Sequence, residues 1–160
     1  MSIIDRLLDE HQQILSFLDN FEQDLCHFME ENYFDLNHYL DHIEFIKQFA
    51  DKKHHQKEEN ILFKYMEDYL GLSAQKLVRH GMLVEHNLAR YYVQELEKHI
   101  SIFNQHPTTK TKLSIIGLSY AYIDLLRRHI DKENKVVYPF ALRQLSSDLF
   151  EKMEQEEQNY

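Results

Sequence analysis

Residues 7–63 recur, without a gap, at residues 82–138. His11 falls on His86, an offset of 75 residues. The same offset places Glu10 on Glu85, His54 on His129, Lys57 on Lys132 and Glu58 on Glu133. Apolar positions follow suit: Leu18, Phe21, Leu25 and Phe28 fall on Val93, Leu96, Ile100 and Phe103. These positions recur at helical spacing, so each half carries two amphipathic helices with matching apolar stripes. A chain built this way buries its stripes by packing one helix pair against the other.

Punctuation between the stripes sets the boundaries. Ser2 caps helix A, expected over residues 2–29, and Asp35 caps helix B, expected over 36–70. Gly71 is a stop signal and Ser73 a new cap for helix C, over 74–103. Pro107 breaks the next loop, and Thr108 or Thr109 caps helix D, over 110–138. Pro139 cannot donate to the carbonyl of Lys135, so helix D kinks or ends there. A short C-terminal helix follows over 148–158. The expected fold is all-α: an up-down-up-down antiparallel four-helix bundle with a pseudo-twofold internal repeat, residues 1–160 forming a single domain.

Charge and cysteine content narrow the function. The formal net charge of −9 disfavours nucleic acid and anionic membrane as partners. One cysteine, Cys26, leaves no internal disulfide and no thiolate zinc site. It is expected to be an inert small residue near the end of helix A. Asp5, Asp9 and Glu10 rule out a signal peptide in the first ten residues, and no apolar run is long enough to span a bilayer. A cytoplasmic location is the expectation. The chain has neither a Gly-rich phosphate loop nor a GxSxG elbow.

The polar residues shared by the two stripes form one set: His11, His54, Glu58, His86, His129 and Glu133. Positions i and i+4 are neighbours on a helix, so each HxxxE pair can reach one cation or two adjacent ones. Four imidazoles divided between two ions, with two bridging carboxylates, give each ion four protein donors. A bridging oxide or hydroxide adds one more and leaves a sixth position open. Nitrogen and oxygen donors without sulfur suit Fe, Mn or Zn. Burying the six groups without a cation is costly, which disfavours a purely proton-sharing network. Phase with Ala50, Ile46 and Ile43 assigns His54 and Glu58 to the site. His55 and Glu59 are assigned to solvent, because His55 is in phase with Asp51, Gln48 and Glu44.

The segments LLDEHQQI, HHQKEENILF, MLVEHNLAR and RRHIDKENKVVYP, spanning residues 7 to 139, resemble the hemerythrin-like, or HHE cation-binding, proteins. The resemblance implies a four-helix bundle around an oxo- or hydroxo-bridged pair of Fe ions. The family's ligand pattern falls on the six residues above. It implies dioxygen or nitric oxide as the small ligand, for sensing, delivery or scavenging. A di-iron enzyme or repair factor, for iron–sulfur cluster repair or for turnover of peroxide or nitric oxide, is the alternative. Hemerythrins proper carry a second histidine on helix C; here Met82 and Arg90 stand four residues either side of His86. A seventh ligand would come from elsewhere, with Tyr33, His27, Glu31 and His42 as candidates. Glu10 and Glu85 are candidate partners that orient the histidines, and Tyr65 and Tyr122 candidate hydrogen-bond donors to a bound ligand. His27, His38, His42, His80, His99 and His106 lack a histidine mate in the repeat and read as surface residues.

Overall fold

The computed structural model describes residues 2–158, and no strand occurs among them. They form five helical elements: α1 (Ile3–Glu31), α2 (36–69), α3 (71–105), α4 (109–144) and α5 (Ser147–Gln158). Capping fixes the starts. The Ser2 hydroxyl accepts the Asp5 N–H while the Asp5 carboxylate accepts the Ser2 N–H, a reciprocal box. The Asp35 carboxylate accepts the N–H groups of Asn37 and His38, and Thr108 forms a second box with Thr111. Left-handed backbone turns the chain at Asn32 (φ 54°) and Gly71 (φ 73°). The second junction is shorter than expected, because α3 begins at Gly71 rather than after Ser73, with Leu70 between the two helices.

The long helices contain wide turns, in which an N–H bonds the carbonyl five residues back. They occupy Ile46–His55, Glu58–Leu62, Val78–Met82 and Glu133–Val137. Such turns are uncommon and gather at functional sites. Two of them, beginning at Glu58 and Glu133, are repeat mates. The last one also explains why α4 does not stop at Tyr138. Pro139 falls just after the bond from the Tyr138 N–H to the Glu133 carbonyl, at the start of Tyr138–Gln144. That is the helix-start position where a missing N–H costs least, and the helix runs on to Gln144.

Two apolar clusters make the core. One holds Leu18, Phe21, Phe28, Tyr39, Leu96 and Leu126, and the other Ile3, Leu7, Leu62, Met66, Val78 and Tyr138. A fully buried Leu or Phe stabilises the fold by about 1.5–3 kcal/mol. Helix α5 closes the second cluster: Met153 is fully buried, Tyr65 donates to Glu156 (2.7 Å), and Glu157 pairs with Arg6 and Lys57. No helix among the described residues is long and apolar enough to cross a membrane.

Candidate metal centre

Between the two clusters lies a layer of buried polar side chains. His11, His54, His55, Glu58, His86, His129 and Glu133 are each at most 2 % exposed. They form two overlapping cages: His11, His54, Glu58 and Glu133; and His55, Glu58, His86 and His129. In each cage the donor atoms lie within 4.8 Å of one another. Glu133 reaches across both, with Oε2 3.1 Å from His11 Nε2 and Oε1 3.1 Å from His129 Nε2. Glu58 Oε2 lies 3.7 Å from His54 Nε2 and 3.4 Å from His86 Nε2.

Two close contacts in the layer are hydrogen-bonded, His86 Nε2 with His129 Nε2 (3.0 Å) and His11 Nε2 with the Tyr138 hydroxyl (3.2 Å), but most of the converging atoms do not pair. His54 Nε2, both nitrogens of His55, Glu58 Oε2 and both oxygens of Glu133 are buried and have no hydrogen-bond partner. Atoms that converge while failing to align with one another are aimed at a common point. An orphaned buried polar group costs about 1–3 kcal/mol, and charged ones more, unless a cation completes the set. The donors are nitrogen and oxygen, without sulfur, which fits Fe, Mn or Zn.

The outward nitrogens are all engaged save those of His55, and the partners obey the repeat. His54 Nδ1 donates to Glu10 (3.0 Å), and its mate His129 donates to Glu85 (2.7 Å). Lys57 and Lys132 pair with those same carboxylates. His11 Nδ1 donates to Asn134 (2.7 Å), and its mate His86 to Glu59 (2.7 Å). A carboxylate or amide oxygen can only accept, so each of these Nδ1 atoms carries a proton and the ring turns its Nε2 inward. Glu10 and Glu85 do orient histidines, though on the facing helices rather than beside them. Burial pushes Glu10 up, but hydrogen bonds from His54 and Lys57 outweigh it and hold the group at about 2. For Glu85 the His129 hydrogen bond is the largest influence, burial opposes it, and Lys132 helps bring the group to about 2.

Burial also pushes His129 down, but Glu133 and Glu85 pull it up to about 9. The carboxylates thus draw positive charge into the layer. His55 differs: burial, then the neighbouring His86, His54 and His129, push it well below the ordinary histidine range. It stays neutral, the form that ligates metals.

His55 and Glu59 correct the expectation that both face solvent. A wide turn holds more residues per turn than an α-helix, so successive side chains rotate less. Across Ile46–His55 this keeps both His54 and His55 on the inner face. Glu59 is half-buried and accepts from His86 and Arg90. The candidates for a further ligand lie elsewhere. Tyr33 is 59 % exposed, His27 and Glu31 are exposed, and His42 pairs with Asp24 (2.6 Å). Tyr65 bonds Glu156, away from the cages. The buried Tyr122 hydroxyl has no partner and lines a cavity of about 260 Å³ that His55, Asp51 and Arg90 also border. Cys26 is exposed. The tyrosine within the layer is Tyr138, whose hydroxyl donates to Glu58 and lies 3.2 Å from His11 Nε2.

The family description "Hemerythrin HHE cation binding domain" matches residues 2–141. The chain belongs to that family, whose match ends before helix α5. No curated protein and no solved structure matches the chain.

Proposed function

We propose that this is a non-haem di-iron protein that binds dioxygen or nitric oxide at an open iron position, for sensing, delivery or scavenging. The observation that carries the reading is the pair of cages sharing Glu58, with Glu133 spanning both. When bound, the irons supply a redox-active, ligand-accepting centre. His11, His54, His86, His129, Glu58 and Glu133 hold them, and His55 joins the second cage. Glu10, Glu85, Glu59 and Asn134 fix the imidazoles, so the donors are placed before the cation arrives. The apolar clusters on either side exclude water.

The reading includes an up-down-up-down order of the long helices within one domain. In support, α1 and α3 run from the second apolar cluster through the polar layer to the first, and α2 and α4 run the other way. A di-iron enzyme or repair factor is the second reading, favoured by the oxidisable phenol of Tyr138 within the layer.

Metal analysis and an optical spectrum of protein produced in iron-replete medium test the proposal. About two irons per chain are expected, as in other two-metal sites, with near-ultraviolet oxo-bridge absorption. A stable spectral change when air meets the reduced protein supports binding; rapid full oxidation supports turnover. Folded protein that takes up no metal refutes both readings.

A further inference from the structure

Inside the polar layer the repeat is broken at two telling places. Residue 55 is His where its mate, residue 130, is Ile; residue 138 is Tyr where its mate, residue 63, is Phe. The two aromatic mates pack alike. Phe63 stacks on His86 with ring centroids 5.8 Å apart, and Tyr138 stacks on His11 at 5.3 Å. Packing therefore needs the ring and not the hydroxyl.

That hydroxyl is buried, donates to Glu58 Oε1 and lies 3.2 Å from His11 Nε2. Glu133 Oε2, a donor of the same cage, is 3.1 Å from the same nitrogen. Two ligands about 2.1 Å from one octahedral ion, at right angles, stand about 3.0 Å apart. The phenol oxygen is thus spaced from His11 as the cage donors are. His55 works on the other side. With Glu58 and Glu133 shared, the His86 cage has three imidazoles and the His11 cage two. Tyr138 stands at the cage with fewer donors.

We propose that Tyr138 is a protein ligand to the metal held by His11 and His54, and that an external small ligand binds there by displacing it. This rests on the metal reading above and changes it in one respect: the position that an external ligand takes is filled by Tyr138 at rest. Coordination breaks the phenol O–H bond and makes an oxygen–metal bond. The proton passes to Glu58 Oε1, which already accepts it, and on to solvent, with no change of oxidation state. When an anion takes the position, the phenol oxygen regains a proton from solvent and donates to Glu58 again. The site then favours ligands strong enough to replace an anionic oxygen.

The test uses the full chain loaded with ferric ion, as wild type, Tyr138→Phe and Tyr122→Phe. Wild type and Tyr122→Phe should show a visible phenolate-to-iron band and resonance-enhanced tyrosine ring vibrations. Tyr138→Phe should lose both at unchanged metal content and bind azide about tenfold more tightly, or about 1.4 kcal/mol. Equal spectra and azide affinities at equal metal content overturn the proposal. Should Tyr138→Phe fail to fold by circular dichroism, wild type alone decides, since ferric protein without phenolate ring vibrations also overturns it. A wild-type chain that takes up no iron refutes the metal reading and this inference with it, whereas iron uptake without the phenolate signature refutes this inference alone.

Discussion

Replacing His55 by Ile, the residue its repeat mate carries at position 130, should move stability in opposite directions with and without metal. His55 is 2 % exposed, and neither ring nitrogen has a hydrogen-bond partner. Each orphaned nitrogen costs about 1–3 kcal/mol. Against that stands the ring's stack on His86, with centroids 3.9 Å apart, of a kind that contributes about 0.5–1.5 kcal/mol. Ile brings no polar atom into the layer. Taken at the middle of each range, the balance is a gain of about 3 kcal/mol for the metal-free protein. A chain of this size shifts by about 2–4 °C per kcal/mol, so Tm should rise by about 6–12 °C. With metal the sign reverses. Even outer partners of a ligand are worth about 10–100-fold in affinity, and His55 offers a donor atom directly. Metal that binds less tightly stabilises the native state less, so the loaded variant should melt below loaded wild type. Thermal melts by circular dichroism, in chelator and in saturating metal, read both signs. A metal-free variant melting at or below wild type would refute the cost assigned to the imidazole. The same shift in both states would refute its orientation toward a cation.

Two further outcomes follow from the surroundings of the site. Glu10→Gln and Glu85→Gln should each weaken metal binding by about 10–100-fold with helix content unchanged, measured by competition with a chelator. Both carboxylates have depressed folded values near 2 against an ordinary 4.5, so their stabilisation is present above about 4.5 and lost as pH falls toward 2. Acid titration of the metal-free double variant should therefore show a smaller loss of stability in that window, and superimposable profiles would count against the assignment. Gly71→Ala should cost about 1–2 kcal/mol in urea unfolding, with or without metal, because an added Cβ disfavours left-handed backbone. An unchanged midpoint would show that the α2–α3 junction tolerates another conformation.

The apolar stripes made the helices readable, since Leu18, Phe21, Leu25 and Phe28 keep a period that tolerates little else. The 75-residue offset then separated six inward polar residues from the remaining histidines. The structure gathers those six in one layer. The rest was hidden by backbone geometry that a 3.6-residue period does not describe. His55 and Glu59 lie in or beside wide turns, where phase drifts, so their rotation inward could not be read from Asp51 or Gln48. The same geometry let helix α4 pass Pro139. Tyr138 has Phe63 as its repeat mate, so in the sequence only the unshared hydroxyl distinguishes it from a core aromatic.

Among the described residues the polar layer lies between two separate clusters of buried apolar side chains. Every long helix crosses it, so a cation there acts as solder between two short bundles stacked end to end. Once stripped of it, each end must hold on its own apolar contacts. The end made by Ile3, Leu62 and Val78 also depends on the α5 clasp through Met153 and Glu157. Metal occupancy is therefore expected to change cooperativity along the molecule more than its helix content.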